Sequence, residues 1–226
     1  NGQLGRALKR LLADAEFCTH ADFDITNPPE RNWKQYSAII NCAAYNDVNG
    51  AENDRAAAWA VNAEAPARLA RIAAENQITL VHVSSDYIFD GANEVHSEEE
   101  LPSPLSVYGA SKAAGDTAAQ TAPQHYVIRT SWVFGEGENF MSTMRRLANK
   151  GVEPKVIHDQ RGRPTFAEDL AKGIVHLLNS GADYGVYNLS NSGDTVGRDE
   201  IAMAVFIGIG HDPAEVTPVS TEQYRE

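Results

Sequence analysis

The sequence predicts an α/β protein built on a doubly wound parallel sheet. Short apolar runs alternate with longer segments of helical period, the signature of βαβ units. The early runs are apolar on consecutive residues, as in strands covered on both faces. Of the 226 residues, 42% are hydrophobic and 22% charged, an ordinary globular balance with enough chain for one core and a small lobe.

The chain opens on Asn1-Gly2-Gln3-Leu4-Gly5-Arg6 and runs into a helical pattern at Leu4, Leu8 and Leu11. This reads as the back half of a glycine-rich phosphate turn, with its anchoring strand expected ahead of Asn1. The candidate strands are Ala38 to Cys42, Thr79 to Ser84, Tyr126 to Thr130, Lys155 to Ile157 and Val186 to Leu189. Alanine-rich helices are predicted over Ala65 to Asn76 and Ser111 to Gln120. The first carries an apolar stripe at Leu69, Ile72 and Ala73, with Pro66 near its start, where a missing N–H costs little. From about Gly135 the pattern becomes irregular, and Thr217 to Glu226 reads as a loop. The predicted organisation is a dinucleotide-binding domain over 1–134 and mainly a substrate lobe over 135–226, some segments of which return to the first domain.

A formal net charge of −12 argues against nucleic acid or an anionic membrane as a general partner. No apolar stretch approaches the roughly 20 residues that span a bilayer. The two cysteines, Cys18 and Cys42, lie in apolar segments. They are expected to be buried thiols of a cytoplasmic protein, without a disulfide framework or a zinc site.

The strongest chemical constellation is Tyr108-Gly109-Ala110-Ser111-Lys112. Residues four apart share a helix face, so phenol and ammonium can enter one pocket. The cation is expected to lower the phenol pKa from about 10 and make a usable general acid. Alone, that spacing recurs by chance in many helices. Two features add weight: Val83-Ser84-Ser85-Asp86 closes a strand at the edge where open α/β sheets bind ligands, and Gly2-x-x-Gly5 opens a helix, which suits phosphate. The bland reading of Ser84 and Ser85 is a turn satisfying its own backbone. The order of glycine turn, strand-end serine and Tyr-x-x-x-Lys describes a dinucleotide-dependent reductase.

Over nearly its whole length the chain resembles the dTDP-4-dehydrorhamnose reductases, a branch of the extended short-chain dehydrogenase/reductases. The resemblance is carried by the opening turn, Asp24-Ile25-Thr26, Asn41-Cys42-Ala43-Ala44-Tyr45, Val61-Asn62-Ala63-Glu64 and Ser85-Asp86-Tyr87-Ile88-Phe89-Asp90-Gly91. It continues in the Tyr108–Lys112 motif, Arg129-Thr130-Ser131-Trp132-Val133-Phe134-Gly135 and Asp159-Gln160-Arg161-Gly162-Arg163-Pro164-Thr165. The stretches beginning at Ser85 and Arg129 are the specific ones.

The resemblance implies a Rossmann-type fold that reduces dTDP-4-dehydro-β-L-rhamnose to dTDP-β-L-rhamnose. It implies that Tyr108 protonates the sugar C4 oxygen, that Lys112 holds the nicotinamide ribose, and that Ser85 bonds the reacting carbonyl. Asp86 and Trp132 match substrate-contacting positions. Gly2, Gln3 and Leu4 match pyrophosphate positions, Asp24 and Ile25 lie by the adenine, and Ala43, Ala44 and Tyr45 line the cofactor. The cofactor is NADPH or NADH. Some relatives use a divalent cation, for which the sequence offers no ligand set, and a homodimer is one assembly left open.

The chain departs from its relatives in three places. Ser85 replaces a usual Thr and keeps the hydroxyl. Asn49 replaces a common Asp, with no consequence to name. Thr19-His20 stands at the expected end of the second strand, where relatives often place an acid and then Arg; loss of the acid leans toward NADPH. Another nucleotide-sugar epimerase or reductase remains an alternative, as does a non-catalytic regulatory subunit, because a fold does not fix a function.

The remaining conspicuous residues have plainer readings. Histidines 82 and 125 are expected to be structural, and Glu98-Glu99-Glu100 to be a solvated loop. Trp33 and Trp59 are assigned to packing, and Phe140, Met141 and Met144 to the interior of the lobe.

Overall fold

The computed structural model describes residues 2–225, so Asn1 of the opening turn lies outside them. In chain order they form helix α1 (Gln3–Leu11), strand β1 (Ala38–Asn41), helices α2 (Val48–Asn53), α3 (Arg55–Trp59) and α4 (Ala65–Asn76), and strand β2 (Thr79–Ser85). Next come α5 (Val107–Ala119), β3 (His125–Thr130), β4 (Val133–Phe134), α6 (Phe140–Ala148), β5 (Lys155–Ile157), β6 (Arg161–Gly162) and β7 (Thr165–Phe166). The chain continues through α7 (Ala167–Ser180), β8 (Gly185–Asn188), β9 (Val196–Gly197), α8 (Arg198–Gly208), β10 (Thr217–Val219) and α9 (Thr221–Arg225).

The chain divides into two compact units. The first comprises Leu8–Thr130 and Ala171–Leu189, the second Gly2–Ala7, Ser131–Leu170 and residues 190–225.

The first unit is built on a parallel sheet in the order β1-β2-β3-β8. This is the parallel α/β arrangement that the consecutive apolar runs predict. Its core joins Leu69, Ala70 and Ala73 of α4 to Leu80 of β2, Val127 of β3 and Ala119 of α5. Leu69 and Ala73 of the predicted α4 stripe therefore face the sheet, with Ala70 in the place expected for Ile72, which is half-buried, and Trp33 packs beside them.

In the second unit, Met144 and Ala148 of α6 meet Ala202 and Phe206 of α8 over Val156 and Val216. Phe140 packs against this core, while Met141 lines a shallow groove. Short two-stranded pairs join β4 to β7, β6 to β9 and β10 to β5.

Several expectations are corrected. Residues 16–20 form no strand. A strand persists only where a neighbour pairs its backbone, and Thr19 instead donates its N–H and hydroxyl to Asp22 in a local turn, at 2.8 and 2.7 Å. Cys18 is consequently exposed, and both thiols are free. Trp59 and Leu11 are also exposed; Ala7 takes a buried place on α1 beside Leu4 and Leu8, because that face is set by the 3.6-residue turn. The tail after Thr217 is a strand and a short helix, with β10 paired in parallel to β5. No described helix is long and apolar enough to cross a membrane.

Candidate active site

The site starts at a helix cap. Ser106 accepts a hydrogen bond from the N–H of Gly109 at 3.0 Å, satisfying one of the orphan donors of a helix start. This fixes the beginning of α5 at Val107, four residues earlier than the sequence predicts, and seats Tyr108 in the first turn and Lys112 one turn later. Both side chains are buried, Tyr108 at 8% and Lys112 at 2% exposure. The Lys112 ammonium donates to the Val83 carbonyl of β2 at 2.8 Å, and burial holds its pKa down to about 8.

Ser85 closes β2. Its hydroxyl donates to the Asp86 carboxylate at 3.0 Å and accepts from the Tyr87 N–H at 3.2 Å, turning the chain into a single 3₁₀ turn, Asp86–Ile88. A Cβ on Gly109 would run into the Tyr87 carbonyl oxygen, so the glycine lets this turn lie directly on α5. The Tyr87 ring then meets the Tyr108 ring edge to face, with centroids 5.4 Å apart. Ser85, Asp86, Tyr108 and Lys112 are thereby brought to one end of β2.

Burial pushes the Tyr108 phenol up to about 12; the Ser85 hydroxyl pulls it down, and the nearby Asp86 adds to the rise. This reverses the expected lowering by Lys112. With its own pKa held down to about 8, that ammonium has lost its charge before the phenol titrates, so it does not offset desolvation of the phenolate.

A second assembly holds the turn after β1. Asn41 accepts from the Ala43 N–H at 3.1 Å and lies 3.2 Å from Nδ1 of the buried His82. Burial holds His82 well below its usual pKa, so its ring is neutral and accepts from the amide. Asn62, 1% exposed, grips Tyr45 from both sides, accepting from its N–H at 2.9 Å and donating to its carbonyl at 3.1 Å. The same amide donates to the Ser111 hydroxyl at 3.0 Å, which in turn donates to the Tyr108 carbonyl at 2.7 Å. Asn62 thus ties the Ala43–Tyr45 turn to the Tyr108–Lys112 helix.

Asn62 reaches this position because α3 and α4 are joined by a π turn, Ala60–Glu64. Pro66 lacks the N–H that would otherwise bond the Asn62 carbonyl, and the ladder slips to the Ala65 N–H bonding the Ala60 carbonyl. A Cβ on Gly115 would run into that same carbonyl, so the two helices meet there backbone to backbone. Asn62 lies in the stretch Val61-Asn62-Ala63-Glu64, where its residue type alone announces no role. A proline four residues after a buried amide was the available signal.

Asp24 accepts from the N–H and hydroxyl of Thr26 at 2.9 and 2.7 Å, bonds that hold its carboxyl below the usual range; Ile25 sits between them, half-buried. In the second unit, Gly2 accepts from the Arg6 N–H at 3.0 Å as α1 begins. Gln3 there accepts from Asn139 at 3.2 Å, and Leu4 is buried. Trp132 in that unit has a left-handed backbone, φ +38°, a strained position for a bulky residue. Among the described residues, no group of three or more His, Cys, Asp or Glu side chains could hold a metal.

A parallel sheet with a Tyr-x-x-x-Lys helix packed at its strand ends is the frame of a dinucleotide-dependent Rossmann-type oxidoreductase. The chain belongs to the family described as RmlD substrate binding domain, whose model matches residues 1–226. It is 40% identical to a dTDP-4-dehydrorhamnose reductase of Mycobacterium tuberculosis, over 99% of this chain and 78% of that one. It is 36% identical to a probable dTDP-4,6-dihydroxy-2-methyloxan-3-one 4-ketoreductase of Streptomyces antibioticus, over 99% of this chain and 80% of that one. A solved dTDP-4-dehydrorhamnose reductase from Bacillus anthracis, in complex with NADP, superimposes with a TM-score of 0.90 at 34% identity, covering 99% of this chain and 83% of that one.

Proposed function

We propose that this protein reduces dTDP-4-dehydro-β-L-rhamnose to dTDP-β-L-rhamnose with NADPH, in the cytoplasm. The observation that carries the reading is the buried Tyr108–Lys112 pair beside Ser85, in a chain whose relatives bear that activity in their names.

The residues fit a nicotinamide nucleotide. Lys112 brings three N–H donors to a buried place and gives one to the Val83 carbonyl, so donors remain for ribose hydroxyls. Ala43 and Ala44 present small side chains and backbone at the carboxyl end of β1, where ligands of open sheets bind, and Tyr45 continues that wall. Gly2, Gln3 and Leu4 open α1, whose N-terminal N–H groups suit the pyrophosphate. Asp24 and Ile25 serve the adenine end. Bound there, the nicotinamide supplies the hydride.

Tyr108 holds the proton at its Oη. With a pKa near 12 the phenol is protonated throughout the neutral range, the form a reduction consumes, and the proton passes to the C4 oxygen as that atom gains charge. Ser85 donates to the same oxygen and orients it. Asp86 and Trp132 contact the sugar. Lys112 holds the ribose.

The test is nicotinamide absorbance with dTDP-4-dehydrorhamnose, comparing NADPH with NADH. One equivalent oxidised per sugar supports the reductase. A redox-neutral change of the sugar would replace it with an epimerase, and no reaction with this or other dTDP-4-keto sugars would leave the regulatory reading.

A further inference from the structure

Trp132 sits in the second unit in an arrangement that the proposed chemistry does not by itself require. Its backbone is left-handed, and its carbonyl is held by the Thr165 N–H at 3.1 Å. The preceding Ser131 hydroxyl donates to the Arg163 carbonyl at 2.5 Å. A Cβ on Gly162 would run into the fused bond of the indole, so the peptide backbone of β6 lies against the ring. β6 pairs antiparallel with β9, Arg161 opposite Gly197 and Gly162 opposite Val196. The next residue after β9 is Arg198, the first of α8, and its guanidinium lies 4.4 Å from the indole centroid. The same guanidinium is 5.7 Å from the Phe140 ring. Arg198 therefore bridges two aromatic faces.

A guanidinium placed over indole is held by the ring's quadrupole, and its planar shape suits stacking in a way an ammonium does not. Gly162 reaches the indole from β6 and Arg198 from the first residue of α8, directly after the ladder partner β9, so β6, β9 and the start of α8 together fix a ring whose own backbone is strained. Such strain persists only where the surroundings determine it. This also gives a role to Asp159-Gln160-Arg161-Gly162-Arg163-Pro164-Thr165, which the catalytic reading leaves unused.

We propose that Arg198 is a positioning residue that sets the orientation of the Trp132 indole, and through it the affinity for the sugar nucleotide. The inference rests on the reading in which Trp132 contacts substrate. Arg198 acts through the ring and takes no part in proton or hydride transfer.

The sequence contains three tryptophans, so replacing Trp33 and Trp59 by Phe leaves Trp132 as the single emitter. In that background, Arg198→Ala shifts the emission of Trp132 and lowers its anisotropy, and Arg198→Lys has a smaller effect. In the steady state, Arg198→Ala raises the KM for the sugar nucleotide about five- to ten-fold, the range a cation–π contact supports. The KM for NADPH stays within about two-fold, and Lys recovers part of the loss. Trp132→Ala with Arg198→Ala is no worse than Trp132→Ala alone.

Unchanged Trp132 emission in Arg198→Ala overturns the proposal, as does a double variant weaker than Trp132→Ala by the same factor that Arg198→Ala costs alone. Failure of the functional reading looks different: the unaltered protein would not oxidise NADPH with any dTDP-4-keto sugar, and the emission result would still judge the clamp.

Discussion

The side-chain amide of Asn62 closes on Tyr45 from both directions, taking its N–H at 2.9 Å and giving to its carbonyl at 3.1 Å. A side chain that satisfies both peptide groups of a distant residue replaces a strand neighbour there. The turn proposed to line the cofactor is thus held by two asparagines, Asn41 and Asn62, rather than by a ladder.

Asn62→Ala leaves the half-buried Tyr45 peptide groups without these partners and is expected to cost about 1 to 3 kcal/mol. It also frees the turn, so the KM for NADPH rises more than the KM for the sugar. Denaturant unfolding and steady-state kinetics on one preparation check both. Equal changes in the two KM values would remove Asn62 from the cofactor side.

Tyr108→Phe keeps the ring that packs on Tyr87 and removes only the hydroxyl proposed to donate the proton. kcat is expected to fall about 10²- to 10⁴-fold, with little change in the thermal midpoint. A variant retaining most of its turnover would hand the proton to another group.

Lys112 gives the pH dependence at the basic end. Its folded pKa near 8 lies below the usual value of about 10.4. Above pH 8 the folded protein has released this proton while the unfolded chain still binds it, so this group makes stability rise with pH between those values. The charge on the ammonium disappears over the same window, so the KM for NADPH is expected to climb above pH 8. Lys112→Met should abolish both trends. Titrated unfolding midpoints that do not distinguish Met from Lys would refute the assignment.

His82 acts at the acidic end. Its folded pKa lies well below 6.5, so as pH falls below 6.5 the unfolded chain takes up a proton that the folded protein refuses. Stability is therefore lost on acidification. His82→Gln is expected to be less stable at pH 8 but to lose less between pH 7 and 5, measured by thermal unfolding at each pH.

Much of the frame was legible in the sequence. Helix α4 runs over the residues its stripe predicts, Ala65–Asn76, because apolar period and alanine content agree there. The sheet strands fall within a residue or so of their apolar runs, and Ser85, Tyr108 and Lys112 meet as their order suggests.

What escaped depends on distant partners. Asn62 is an ordinary polar letter until Pro66 removes a helical donor and Ser111 arrives from another helix. The rise of the Tyr108 pKa depends on how completely the phenol is desolvated, which spacing does not encode. Thr19-His20 has strand-like neighbours but no adjacent ladder, and Cys18 follows it to the surface. The left-handed backbone of Trp132 is invisible in a residue type that seldom adopts it.

The π turn at Ala60–Glu64 has a consequence for how one helical run serves two interiors. Each residue advances a helix by about 100°, so one extra residue in a turn rotates everything beyond it out of phase with what precedes. Before the turn, Ala58 faces the cluster around Tyr108; after it, Leu69, Ala70 and Ala73 face the sheet. A regular helix of the same composition would keep a single stripe and could cover only one of these surfaces. The proline at position 66 therefore works as a phase shifter, giving the same rod one face toward Tyr108 and another toward the sheet.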